Sequence, residues 1–403
     1  MGTDELVRAL RGHVGAVLPL LRDVADDIHA HPEVRFTEHH AAARLSAELE
    51  RQGFEVVREY ARMPTAFTGR WSSPGVLPGA KAPTVAIFCE FDALEGIGHA
   101  CGHNLIAASG LGAAFALKTW LMEATTPATL LVVGSPGEEG GAGKVPMIEA
   151  GVLEGVDVAV MIHPGAVDCV DMQSLSRVAR DIGFTGRASH AAAAPEKGVN
   201  ALDAATLTLT AIGLLRQQLP ADARVHAVVV DGGQVPNIIP ETSAIRMFIR
   251  SPDQAVLLSD LVPRVEACAH GAAIATGCEV TIEERTPPYS AMVQNPVLAG
   301  LAEEAFALLG RVNQPDNGTS GSTDMGNVSW LVPSLHPKIQ LQPDVVPHTR
   351  EFAAAAGSEA ATKTIADGAV VLAATAARVL AEPALLAEIA AAFREQVDDR
   401  GRC

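Results

Sequence analysis

The chain has 403 residues, nearly half of them hydrophobic, with few aromatics and abundant Ala and Gly; it is too long for one simple core and suits a soluble α/β protein of two domains, or one large domain carrying an insertion. A net charge of −17 without a basic cluster argues against nucleic acid and anionic membranes as partners, and no apolar run is expected to reach the length of a membrane span. The six cysteines form no CxxC pair, and the acidic start "MGTDELVRALRGHVG" lacks the regions of a signal peptide, so a cytoplasmic location is expected.

In chain order, "VGAVLPLLRDVADDIHAHPE" has helical apolar spacing and stops at His31-Pro32. A second helix, "TEHHAAARLSAELERQG", runs from a Thr37 cap to Gly53. "FEVVREY" reads as a strand and "SSPGVLPGAKAP" as a surface loop. "TVAIFCEFD" is a short buried strand, followed by the long helix "NLIAASGLGAAFALKTWLMEA" capped by Asn104. "ATLLVVGSP" and "VDVAVMIHP" are two more buried strands, with a turn and helix from "GEEGGAGK" to Gly151 between them. Strands alternating with helices predict a doubly wound, mostly parallel sheet.

From about Arg177 the order changes to strand, helix, strand, strand, helix, strand, ending at "EVTIEER". That is a smaller α+β unit of the split βαββαβ kind. The first pattern resumes with "NPVLAGLAEEAFALLG", "KIQLQP" and a long Ala-rich helical region. The expected layout is a catalytic domain of residues 1–176 and 287–403, interrupted by an inserted domain of residues 177–286.

The chemistry gathers at the ends of the buried strands. Cys101 and His103 in "GIGHACGHN" are two residues apart, a spacing that converges in a loop but diverges on a helix. A helix start beside Cys101 would favour its thiolate. Taken alone, the pair reads as a packed cysteine and a capping histidine. Glu138-Glu139 and His163, however, follow the next two strands, and His348 follows "KIQLQP". In a parallel sheet such ends line one crevice, and thiolate, imidazole and carboxylate are ligands for Zn²⁺ and its first-row neighbours. For the two adjacent glutamates, one as ligand and one as general base is the economical arrangement, against a solvated acidic turn, which is less expected between a buried strand and "GGAGK". Arg246 and Arg250 share one face of "AIRMFIRS", available to a substrate carboxylate or to surface salt bridges. Asp324, on the Gly-Ser loop "GSTDMGN", is suited to meeting a substrate amine.

"HACGHN", "GSPGEEGGAGK", "MIHPG", "GRASHAAAAPEKGVNALDA", "GGQVPNIIPE", "GSTDMGNVS" and "VPHTREF", in this order, resemble the co-catalytic metallo-amidohydrolases. That family includes aminoacylases, hippurate hydrolases, auxin-conjugate amidohydrolases and aminobenzoyl-glutamate hydrolases. "GSTDMGNVSWLVPSLHP" is most similar to the branch with aminobenzoyl-glutamate hydrolases and dipeptidases acting on β-alanyl-lysine-type and Xaa-Arg dipeptides. The resemblance implies two divalent ions, Zn²⁺ or Mn²⁺, bridged by Cys101. His103 and His163 would complete one, Glu139 and His348 the other. Asp92 would orient a ligand, and Glu138 would be the base acting on a metal-bridged water to hydrolyse an amide. It further implies that His190 reaches a partner's site across a homodimer formed by the inserted domain, and that Asn237 contacts substrate. The substrate would be an N-acyl amino acid, an aminobenzoyl-glutamate-like conjugate or a short dipeptide. A catalytically silent metal- or ligand-binding relative is the competing reading, and a redox role for Cys101 lacks a resolving cysteine nearby.

Overall fold

A computed structural model describes residues 2–76, 81–316 and 321–401. The predicted surface loop falls partly, and Cys403 wholly, outside the described residues. Two compact units divide the chain, one of residues 1–173, 292–320 and 324–403, the other of residues 174–291 and 321–323.

The chain opens with α1 (Thr3–Ala30), which buries Leu10, Leu21, Val24 and Ile28 and stops at His31, where the following Pro32 disfavours helical backbone. Next come α2 (His39–Arg51), β1 (Glu55–Arg58), β2 (Phe67–Ser72) and β3 (Thr84–Glu90). The N-cap of α2 is Glu38 rather than Thr37, whose hydroxyl turns back to the Val34 carbonyl at 2.7 Å. The long helix α3 (His103–Ala124) is capped by Gly102, not Asn104. Asn104 instead lies inside the helix and donates to the carbonyls of Ala25 and Ala356, tying the α3 start to two neighbouring segments. Then follow β4 (Thr129–Ser135), the distorted turn α4 (Glu138–Gly141), α5 (Lys144–Glu149), β5 (Val158–Val160) and β6 (His163–Gly165).

The second unit begins with β7 (Ser176–Thr185), α6 (Ala201–Leu215), β8 (Arg224–Asp231) and β9 (Thr242–Ser251). It continues with α7 (Gln254–Val256), one π-helical stretch over Leu257–Leu261, α8 (Val262–Thr276) and β10 (Glu279–Glu284). The antiparallel sheet has the order β10-β7-β9-β8. On β9 the residues alternate, Ile245, Met247 and Ile249 inward and Arg246 and Arg250 on the other, partly covered face. The first unit is completed by α9 (Pro296–Leu308), α10 (Met325–Ser329), β11 (Ser334–Leu335), β12 (Lys338–Gln340), α11 (Arg350–Ala356), α12 (Ala360–Ala381) and α13 (Pro383–Gly401).

The sheet of the first unit has the order β1-β2-β4-β3-β5-β11. Its four strands from β4 to β11 are parallel, and β1 and β2 add an antiparallel edge. On β3, Val85, Ile87 and Cys89 face one apolar cluster and Ala86 and Phe88 the other. Burial on both faces is why this strand reads as an unbroken apolar run. At Gly112 of α3 an added Cβ would meet Leu21 at 2.6 Å and Ala369 at 2.9 Å, so glycine permits the close approach of α1 and α12. By length and composition α3 and α12 are apolar enough to cross a membrane, contrary to expectation, but 83% of the apolar window in each is buried. Both are core helices of the first unit.

Candidate metal centre

The parallel order brings the ends of β3, β4 and β5 together, and each carries candidate ligands. Cys101 and His103 follow β3, with Gly102 between them at φ 75°. This is left-handed backbone that glycine adopts without strain, and it turns the chain so that both side chains face one crevice. Cys101 Sγ lies 3.5 Å from His163 Nε2, and His348 Nε2 lies 3.4 Å from Glu139 Oε1. Two triads result, Cys101–His103–His163 and Cys101–Glu139–His348, each with its ligand-type atoms within 4.8 Å of one another. Cys101 is common to both. Such separations suit donors around a shared ion, since bonds of about 2.0–2.3 Å set tetrahedral edges near these values.

The histidine tautomers are fixed by what the other ring nitrogen does. His103 Nδ1 donates to Asp92 Oδ1 at 3.1 Å and His163 Nδ1 donates to the Pro164 carbonyl at 2.7 Å. Each therefore turns Nε2 to the crevice, as an oriented metal ligand does. Asp92 also accepts from the Glu139 backbone N–H at 2.8 Å through its other oxygen, so one buried carboxylate positions two strand ends. His348 sits at φ 67° with its N–H on the Ala100 carbonyl, a strained conformation for a non-glycine residue, found mostly at functional sites.

The turn that carries the glutamates is braced from the N-terminal segment. Glu38, fully buried, accepts from the N–H groups of Phe36 and Gly137 and from the Thr65 hydroxyl. Arg35 donates to the Glu139 carbonyl at 2.9 Å. The Phe36 ring lies where a Cβ at Gly137 would fall, 2.6 Å away. Burial, with the Asp92 charge behind it, pushes the Glu38 carboxyl up to about 7.

Electrostatics follow from burial and like charge. Burial raises the Glu138 carboxyl well above its ordinary value, with Glu90 and Glu139 adding to it. Burial likewise raises the Cys101 thiol, with Glu139 next, so the expected lowering by the helix start is overridden. For His103 burial opposes the charge, but Cys101 and Asp92 outweigh it and raise the ring well above its ordinary value. Burial, then the His103 charge, lowers His163 to about 4.

The donor set fits divalent cations. His103 Nε2, Glu139 Oε1 and Glu90 Oε2 are buried without a hydrogen-bond partner, and each such orphan costs about 1–3 kcal/mol. Cations among them would satisfy all three. A carboxylate-rich pocket holding two imidazoles with Nε2 turned inward and a thiol is the chemistry of a transition-metal site.

Known proteins are similar to this chain in sequence and fold. The family model described as Peptidase family M20/M25/M40 matches residues 76–380. The Xaa-Arg dipeptidase of Mus musculus is 40% identical over 372 residues, 90% of this chain and 86% of that protein. The chain belongs to this peptidase family. One of the p-aminobenzoyl-glutamate hydrolase polypeptides of Escherichia coli (strain K12) is 35% identical over 301 residues, 70% of this chain and 60% of its own. The fold is shared with a dinuclear metal-binding M20 peptidase of Bacillus subtilis, at a TM-score of 0.64 and 21% identity over 89% of this chain and 99% of that one. This member of the peptidase family is a metal-dependent hydrolase of amide bonds.

Other residues singled out in this peptidase's sequence lie elsewhere. Asp324 is fully buried; its oxygens accept from Lys144 Nζ at 2.6 Å and from the Lys144 N–H at 3.0 Å, so the partner it meets is that lysine. In the second unit Arg246 pairs with Asp181 at 3.0 Å at a half-exposed position, the salt-bridge alternative of the sequence reading. Arg250 donates to Ser322 Oγ at 3.3 Å and lies over the Phe248 ring. Exposed His190 accepts at Nδ1 from the N–H groups of Ala192 and Ala193, so a neutral ring carries its proton on Nε2. Asn237 is exposed, and its carbonyl accepts from the Ala191 N–H beside it. Three buried residues are not among those the sequence singles out. Glu90 and Lys144 form an ion pair, and His336 stands edge-on to His163 with ring centroids 5.8 Å apart. Their signal was a charge inside the apolar run "TVAIFCEFD" and a lysine closing "GGAGK".

Proposed function

We propose that the protein hydrolyses the amide bond of short dipeptides, with Xaa-Arg or β-alanyl-lysine-type dipeptides ahead of aminobenzoyl-glutamate conjugates, using two divalent ions, Zn²⁺ or Mn²⁺. The meeting of Cys101, His103, Glu139, His163 and His348, with orphaned ligand atoms among them, carries the metal part of this reading. The 40% identity to an Xaa-Arg dipeptidase across most of both chains supports the substrate order. Cys101, common to both triads, would be a ligand to both ions, with His103 and His163 as the further ligands of one and Glu139 and His348 of the other. When bound, the ions supply Lewis acidity that polarises the amide carbonyl and makes the attacking water more acidic.

Glu138 takes the proton of that water and returns it to the leaving amine. Its raised carboxyl pKa suits a group that must both accept and release a proton near neutral pH. Asp92 holds His103 and the Glu139 backbone in register. His190, with its Nε2–H outward, donates to the carbonyl oxygen as it becomes an oxyanion, and Asn237 contacts substrate beside it. Asp324 holds Lys144 and Arg246 holds Asp181; Arg250, part-buried over the Phe248 ring, is assigned to a substrate carboxylate.

A second copy of the chain is the natural cover for the β8 edge. Val228, Val229 and Val230 there are 58%, 45% and 47% exposed, and an apolar edge strand invites strand-to-strand pairing. We assign the active form to a homodimer in which His190 serves the partner's site. Five free cysteines among the described residues support a reducing, cytoplasmic location.

The test is hydrolysis of alanyl-arginine, β-alanyl-lysine, aminobenzoyl-glutamate and hippurate by wild type and Glu138→Ala, with Zn²⁺, Mn²⁺ or chelator. Dipeptide turnover that chelator and Glu138→Ala both abolish is expected. Metal-loaded wild type that cleaves none of the four would overturn the reading.

A further inference from the structure

The cluster next to the expected ligands contains a carboxylate with no assigned role. Glu90 ends β3 fully buried. Its Oε1 accepts from Lys144 Nζ, and Lys144 in turn is held by Asp324. Its Oε2 has no hydrogen-bond partner and lies 3.6 Å from His103 Nε2, another orphaned atom of the crevice. That separation is too long for a hydrogen bond but matches two donors on one ion. Glu90, His103 and Glu138 also place their ligand-type atoms within 4.8 Å of one another.

The two oxygens of Glu90 therefore do different things. One satisfies a buried lysine; the other, withdrawn from water, points where His103 would coordinate. Lys144 and Asp324 fix the carboxylate so that it cannot swing away. A buried carboxylate oxygen that faces a ligand nitrogen at 3.6 Å without a hydrogen bond is costly, and a cation between them removes the cost.

We propose that Glu90 is a further protein donor to the ion held by Cys101, His103 and His163, with Lys144 and Asp324 as positioning residues that aim it. This rests on the two-metal reading above. It makes the two ends of the centre unequal: the end at His103 is the more buried and gains a carboxylate, and the end at His348 opens to solvent.

The test is metal stoichiometry and affinity, read by elemental analysis and chelator competition without turnover. Wild type should bind two equivalents. Glu90→Gln should bind one equivalent as wild type does and the other ~10–100-fold more weakly, the range for losing a metal-orienting group. Since Glu90→Gln alone leaves Lys144 short of one partner and endangers folding, Glu90→Gln/Lys144→Gln is measured beside it; this pair of changes keeps the cluster's net charge at the wild-type value. The double variant should show the same weakening of one equivalent. If it regains wild-type affinity, Glu90 is only the counter-ion of Lys144 and the proposal is overturned. Wild-type affinity for both equivalents in folded Glu90→Gln overturns it as well. Fewer than two equivalents in wild type overturns the two-metal reading, and this proposal with it.

Discussion

The first unit withdraws Glu90, Asp92, Lys144 and Asp324 from solvent and gathers them at the C-terminal ends of its parallel strands. In the second unit Arg177 is the one buried charged side chain among the described residues, stacked on Tyr289 at 3.8 Å; Asp181, Arg246 and Arg250 stay partly exposed on its open sheet face. Buried charges are kept only where partners or ions satisfy them. The contrast places the candidate hydrolytic chemistry in the first unit and leaves the second to present exposed groups such as His190 and the apolar β8 edge.

Substitutions on the two sides can break that assignment. Glu138→Ala should lower kcat by roughly 10³-fold or more, within and beyond the usual range for a lost acid–base group, while bound metal and Tm hold steady in elemental analysis and thermal melts. His190→Gln should cost about 10²-fold in kcat, the scale for one oxyanion donor, again at unchanged metal content. A second-unit variant that strips metal from the protein would erase the distinction. Asp92→Asn should weaken metal binding ~10–100-fold, visible in chelator competition.

Glu38 offers a pH test of the brace under the Glu138 turn. Its carboxyl is raised from 4.5 to about 7 in the folded chain, so between those values the folded state holds a proton that the unfolded state has lost. Its contribution to stability therefore falls as pH rises through this window. Glu38→Gln keeps an acceptor for the two N–H groups and removes the titration. Its Tm relative to wild type should rise from pH 4.5 to pH 7 and then level; a difference flat in pH would place the proton elsewhere. The smallest effect belongs to Arg246→Ala, which breaks a half-exposed pair with Asp181 and should change stability by less than about 1 kcal/mol and leave kcat/KM unaltered.

What could be read from the sequence was the part carried by local pattern. Unbroken apolar strands alternating with helices announced the parallel sheet, and because strand ends in such a sheet share an edge, Cys101, His103, Glu138, Glu139 and His163 could be brought together before any coordinates. Long-range partners were not legible. Glu90 is only an acidic residue in an apolar run until Lys144, fifty-four positions away in the chain, is placed against it. Asp324 looked free on its loop because the same lysine was missing from view. Asn104 has the residue type of a cap, but the left-handed Gly102 took that role and left the amide to bridge Ala25 and Ala356. The burial that raises the Cys101 thiol is likewise a property of the assembled core.

The most direct test of a two-ion centre built on Cys101 is anomalous diffraction from crystals of the whole protein grown with Zn²⁺ or Mn²⁺. Two peaks flanking Cys101 Sγ are predicted, one toward His103 and His163 and the other toward Glu139 and His348. A single peak away from Cys101, or metal only at surface histidines such as His31 and His40, would contradict it.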